Sequence, residues 1–457
     1  MPATEFAWIP LKGGTSSERS EPQITRIFMY LAYSLLLSLG LIVLIPHFIF
    51  QALAHGKYVA GLRQRFGSIP SVNGKPVIWL HCVSVGETQA ARPLAQRLKQ
   101  QFPHHALVVS TITLTGQKLA RDVFRTQAES VFYFPFDWRW SVRRALKAIN
   151  PAAVLIMETE LWPNFLHECK ARAIPVALVN GRISRQSFRR YRLVKFFLRP
   201  VLSCLTVAVM QSEADAERLQ VLGMPRDRLF TAGNLKFDAE VATDLTDKTE
   251  EIKSRFDLRS DVPLIIAAST HAPEEQIVIE SFKKLTAKQS ARLMLAPRHP
   301  ERFKEVASLL ESSGLSWARR TEAPASADQN ATVILLDTIG ELPATYSLAD
   351  VVFVGGSIVD RGGHNVLEPA AGGAAVVTGA HTHNFHAIVE LMVQAGAIIQ
   401  LPPVEGPSAA TELTRVLSQL LGDREERSKL GSRAKQLVAD NRGAAEKTLK
   451  LIAAHTS

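Results

Sequence analysis

Cysteine is scarce in this chain of 457 residues: there are three, at 82, 169 and 204, with no C-x-x-C pair. A disulfide framework is therefore excluded as an organising device, and a structural zinc site is not expected. Neither G-x-G-x-x-G nor a Walker A string occurs, so the usual dinucleotide and P-loop readings are not supported. Internal repeats and low-complexity tracts are also missing. Long apolar runs are missing too, with one exception. From Ile27 to Phe50, 24 residues pass without Asp, Glu, Lys or Arg. About 20 apolar residues span a bilayer core, whereas a signal-peptide core needs roughly 7–15 and a buried core helix 10–14. The sequence thus predicts a transmembrane anchor over 27–50 behind an N-terminal tail of 1–26. Flanking charge gives it no orientation, because Lys12, Arg19 and Arg26 precede it and Lys57, Arg63 and Arg65 follow.

What is present is an ordinary globular composition, 46% hydrophobic and 21% charged, which excludes disorder as the main description. The formal net charge is +10. That suits nucleic acid, anionic lipid or a phosphorylated small molecule without choosing among them. At about 150 residues per domain, two or three units are expected. Short apolar runs alternate with amphipathic stretches: Val77–Leu80, Ala106–Val109, Ala153–Met157, Val176–Val179 and Leu205–Met210, then Leu264–Ala268, Leu293–Ala296, Val333–Leu336, Val351–Val354 and Ala375–Val377. Continuous apolar runs between helices are the pattern of buried parallel strands. After Glu87, the residues Ala91, Leu94, Ala95 and Leu98 share one helical face. Another helix is expected from Ser212 as N-cap to Gly223. Polar 238–260 reads as the crossing between two α/β domains, at 57–245 and 255–435, with a C-terminal helix over 436–457.

In open α/β sheets ligands bind beyond the carboxyl ends of strands, and six motifs stand there. His81–Glu87 places Glu87 at a helix start, either as a cap or as a proton acceptor. Glu158-Thr159-Glu160 sets two carboxylates after a buried strand, where they are costly unless paired or hydrated. Around Asn180-Gly181-Arg182 follows a basic, aromatic surface, Arg185 to Phe197, suited to anionic headgroups or a solvated face. Lys236 sits at the domain crossing. Arg298, stiffened by Pro297 and Pro300, suits bidentate phosphate binding. Gly355-Gly356-Ser357 and Arg361 to Ala371 form a glycine-rich turn that allows close approach of a ligand. There Asn365 can cap a helix whose N-terminus attracts anions, and Glu368 can accept from ribose hydroxyls.

Taken together, these strings resemble the 3-deoxy-D-manno-octulosonic acid (Kdo) transferases of lipopolysaccharide synthesis, GT-B enzymes of glycosyltransferase family 30. The matching strings are Ser84–Glu87, Glu158–Asn164, Leu235–Asp238, Ala268–His271, Pro297–Phe303, Asp337–Leu342 and Gly355–Glu368. They cover the chain from about 57 to 390 in the family's order. The resemblance implies two Rossmann-like domains facing across a cleft, an acceptor domain followed by a CMP-sugar domain, with an N-terminal transmembrane helix. It implies Glu87 as proton acceptor, with Glu158 and Lys236 stabilising the transition state. It places CMP on Pro297, Arg298, Ile339, Gly340, Glu341, Asn365, Val366, Leu367 and Glu368. The implied reaction moves Kdo from CMP-Kdo to a lipid A precursor with inversion. It needs no metal, no cofactor and no nucleic acid, and it takes place on the cytoplasmic face of the inner membrane. Two other readings compete: a membrane-associated GT-B transferase using a UDP-sugar, and a non-enzymatic basic module for membrane surfaces.

Overall fold

The strands form wherever branched and large apolar residues run continuously, and two parallel sheets collect them. The computed structural model describes residues 23–55, 61–72, 74–238, 245–258 and 261–456. Two units result, one of 1–239 with 442–457 and one of 240–441.

In the first unit the strands are β1 (Val77–His81), β2 (Ala106–Thr111), β3 (Ala128–Tyr133), β4 (Pro151–Met157), β5 (Val176–Gly181), β6 (Val207–Met210) and β7 (Leu229–Thr231). They are parallel in the order β3-β2-β1-β4-β5-β6-β7. Alternation along β1 serves both faces: Val77 and Trp79 enter one core, Ile78 and Leu80 the other. Each such fully buried side chain contributes roughly 2–3 kcal/mol. The helix Val85–Gln101 buries the expected face of Ala91, Leu94, Ala95 and Leu98. The helix Glu213–Leu222 starts at Ser212, whose hydroxyl accepts from the Asp215 amide, and stops at Gly223. A last helix, Ala444–Thr456, returns to this unit and adds Ala444, Ala445, Leu449 and Ile452 to the β1 core. Asp238 accepts from the Gly443 and Ala445 amides at 2.6 and 2.5 Å, tying down its start.

In the second unit the strands are β8 (Leu264–Thr270), β9 (Arg292–Pro297), β10 (Trp317–Arg319), β11 (Val333–Leu335), β12 (Val351–Val354), β13 (Ala375–Thr378) and β14 (Ile398–Gln400). They are parallel in the order β10-β11-β9-β8-β12-β13-β14. The first sheet switches its side of growth between β1 and β4, and the second switches between β8 and β12. Those switch points are where this architecture opens a ligand crevice.

The expected anchor segment lies within a single helix. Residues 23–55 form one helix, Gln23–His55, yet among the described residues no helix is long and apolar enough to cross a membrane. A hydroxyl stripe joins this helix to the first unit. Ser34 Oγ accepts from Asn164 Nδ2 and Ser38 Oγ from Trp138 Nε1, each at 3.0 Å. Tyr30 is buried with its ring 4.4 Å from that of His167. One face is thus docked on the first unit, while Phe28, Leu35, Leu36, Leu39, Ile42 and Val43 are exposed.

Candidate active site

The β1–β4 switch point carries the acids. Ser84 caps the helix after β1, and Glu87 reaches back as the third helical residue. Its carboxylate accepts from the Val83 amide at 2.7 Å and from the Ser84 hydroxyl at 2.8 Å. This is a variant of the capping box in which the acid reaches one residue further back, to Val83, and only 6% of the residue is exposed. Burial, then the Glu158 carboxylate, raises its pKa to about 7 despite those hydrogen bonds. A group balanced between charge states near neutrality is suited to proton transfer.

Across the switch point, Glu158 follows β4 directly, with φ at 54°. A left-handed non-glycine residue costs roughly 1–2 kcal/mol, and such strain gathers at functional sites. Its amide is held by Val179 at 2.9 Å, and Thr159 exchanges hydrogen bonds with the Arg182 backbone. Glu160 has its pKa raised by burial and then by Glu158. Lys236 lies in the short turn Leu235–Asp238, positioned because Asn180 Oδ1 accepts from the Leu235 amide at 3.0 Å. Burial lowers the Lys236 pKa, Glu158 and Glu87 oppose this, and Arg182 assists it. The structure therefore brings Glu87, Glu158 and Lys236 into one electrostatic cluster. Beside Glu160, a cavity of about 300 Å³ is lined by Tyr33, Trp162, Tyr191 and Phe197.

The β8–β12 switch point carries the second set of groups. Pro297 closes β9 and the Arg298 amide donates to Thr270 at 3.0 Å, leaving the Arg298 side chain exposed. Asn365 Nδ2 donates to Glu368 Oε1 at 2.9 Å while its Oδ1 accepts from the Leu367 amide. Burial raises the Glu368 pKa, and the Asn365 hydrogen bond opposes it. Val366 and Leu367 are buried beneath this pair. Ile339 is 79% exposed next to Gly340 at φ 87°. Glu341 is not free: burial favours its neutral form, but Arg320 at 2.8 Å and Lys248 at 3.2 Å hold its pKa low.

The glycine-rich turn works differently from expectation. The amides of Gly356, Ser357 and Ile358 donate to the buried carboxylate of Glu274 at 2.7–2.9 Å, as does that of His271 at 3.0 Å. These three amides of the turn are occupied by the protein's own anion. Gly355 is required for packing, since a Cβ there would lie 2.7 Å from Thr270 Cα. Nor does the helix after Asn365 offer a long dipole, because it runs only from Leu367 to Gly372. Sequence reasoning missed Glu274. Its only signal was an acid in a first helical turn, which is commonplace.

Comparison with known proteins follows this geometry. Residues 60–239 match the family described as 3-Deoxy-D-manno-octulosonic-acid transferase (kdotransferase). The 3-deoxy-D-manno-octulosonic acid transferase of Haemophilus influenzae is 36% identical over 403 residues, 87% of this chain and 91% of that protein. Its counterpart from Bordetella pertussis is 33% identical over 409 residues, 87% of this chain and 92% of that protein. Among solved structures, Acinetobacter baumannii MurG is 14% identical with TM-score 0.53, covering 83% of this chain and 99% of that one. That likeness concerns the fold alone, two Rossmann-like sheets of the GT-B type. The C-terminal CMP-Kdo binding domain of WaaA from the same organism is 30% identical, covers 42% of this chain and 96% of that domain, and has TM-score 0.37. On the extent of these sequence matches, the chain belongs to the 3-deoxy-D-manno-octulosonic acid transferase family.

Proposed function

We propose that the enzyme transfers Kdo from CMP-Kdo to a hydroxyl of a lipid A precursor, by direct displacement with inversion. The observation that carries this is the state of Glu87, a shielded carboxylate with a pKa near 7 beside Glu158 and Lys236. In this reading Glu87 removes the acceptor proton as the new bond to the anomeric carbon forms. CMP departs, and Lys236 and Arg298 offset the charge it gains, each such preorganised donor being worth about 3 kcal/mol. Pro297, Arg298, Ile339, Gly340, Asn365, Val366, Leu367 and Glu368 bind the nucleotide, the exposed Ile339 against the base and Glu368 toward ribose. Glu341 contributes by fixing Arg320 and Lys248 rather than by free contact.

The acceptor is an amphiphile, and the first unit offers what it needs. The uncovered apolar residues of helix Gln23–His55, with Leu193 and Phe196 at 87% and 66% exposure, suit a membrane surface. Because CTP-derived donors are cytosolic, that surface is the cytoplasmic face of the inner membrane. Incubation with CMP-Kdo and lipid A precursor, followed by mass spectrometry of the lipid, tests the reading. A Kdo mass increment is expected from wild type and a loss of at least about 100-fold in rate from Glu87→Gln. Equal rates with the variant would overturn the role of Glu87. Competition by UDP in place of CMP would overturn the donor.

A further inference from the structure

We propose that His271 and His364 form a proton-sharing pair that binds the charged oxyanion of the sugar donor, a role that rests on the CMP-Kdo reading above. His271 follows β8 and His364 precedes Asn365, so both stand at the switch point of the second sheet. Their Nε2 atoms are 2.8 Å apart, and the rings are parallel, with centroids 5.1 Å apart and planes 3° apart, so they meet edge to edge. Two nitrogens at that separation hold one hydrogen between them. One ring donates, the other accepts, and both are neutral. The edge of His299 meets His271 at 5.0 Å between centroids.

The charges facing the pair are mostly positive. Arg298, Arg361 and His299 act on His271, and Arg298 and His299 act on His364. The acid that acts on His271 is Glu275, which Arg302 engages at 2.6 Å. Glu274 is occupied by five backbone amides. Further along the loop, Asp360 lies 3.4–3.7 Å from His383 and His381. Burial first, then these cations, lowers both pKa values to about 4. His364 is also held from beneath, since a Cβ on Gly356 would come within 3.0 Å of its ring.

An uncharged pair amid cations is short of one proton when an anion arrives. An oxyanion at the two Nε2 atoms can accept from both only if each carries hydrogen. A neutral ring can meet this by moving its hydrogen from Nδ1 to Nε2, but facing an anion among cations the pair gains more by taking one proton from solvent, which enters the second imidazole and leaves a positively charged pair against the anion. Affinity then rises as pH falls across the neutral range. The phosphate and the sugar carboxylate of the donor share this chemistry.

Calorimetric titration of CMP into the full chain at pH 7.5, in two buffers of different ionisation heat, counts the protons. Wild type is expected to take up about one proton more per CMP than His271→Gln or His364→Gln, with affinity about tenfold tighter. Cytidine, which lacks the phosphate, should show neither difference. If CMP shows no histidine dependence but the KM for CMP-Kdo rises in both variants, the carboxylate is the group bound. Unchanged proton uptake, affinity and KM in both variants, with melting temperatures at the wild-type value, would overturn the pair while transfer by wild type upheld the donor reading. Histidine-linked CMP binding without any Kdo transfer would overturn the reading and leave the pair standing.

Discussion

Glu87 shows how one carboxylate can serve both a helix and a reaction. Its hydrogen bonds to Val83 and Ser84 fix its place, and its burial sets its proton affinity. The folded pKa of about 7 lies above the ordinary value of 4.5. Between those values the folded chain holds a proton that the unfolded chain releases, so this group costs stability as pH rises. Over pH 5 to 8, wild type should lose on the order of 3 kcal/mol more than Glu87→Gln, as read by urea unfolding at the two pH values. In the transfer assay, kcat/KM for wild type should climb about tenfold per pH unit until near pH 7 and then level. Glu158 offers a second test. Glycine at its φ of 54° removes the left-handed penalty, so Glu158→Gly should stabilise the fold by about 1 kcal/mol while transfer falls. A destabilised variant would mean that the side chain, not the backbone, dominates there.

At the scale of elements, the Glu274 carboxylate and the glycine-rich turn form one unit of structure. Gly355→Ala should cost about 2 kcal/mol from the clash with Thr270. Glu274→Ala should cost about 3 kcal/mol or more, because several amides lose their buried acceptor. Thermal unfolding checks both. The same elements show what a reader of sequence could see. Interior strands such as β1, β4, β8 and β12 are buried along their length and read as unbroken apolar runs. The strands that went unseen, β3, β7, β10 and β14, are the four sheet edges. In β3 the exposed Glu129 breaks the run, and in β10 Trp317 and Arg319 are only partly covered. Edge strands need one neighbour and one covered face, so their composition carries little signal. Glu87, Lys236 and Arg298 were legible because motifs mark them. Glu274 was not, because its partners come from β12's turn, over 80 residues away.

The long helix Gln23–His55 makes the same point about length and context. Apolar content suggested a span, while hydroxyls at Ser34 and Ser38 bind the first unit. Exchanging Leu35, Leu36, Leu39 and Val43 for serine should leave the melting temperature within about 1 °C, since these side chains already face solvent. The variant should move from the membrane pellet to the supernatant on fractionation. Retention in the pellet would place the binding surface elsewhere.

For the molecule as a whole, the chain's route matters as much as its sheets. It leaves the first unit near residue 239 and returns near 442. The returning helix fills a core built by residues far upstream, including Leu94 and Leu98. A chain ending at Asn441 should therefore show a lower first-unit melting temperature and bind a hydrophobic dye, whereas the second unit's transition should persist. A single unchanged transition would contradict this division. There is also a consequence for synthesis. The domain made first on the ribosome waits until the whole second unit and residues 442–457 have been made before its hydrophobic interior closes. Chains stopped before residue 442 thus leave that interior open to quality-control proteases.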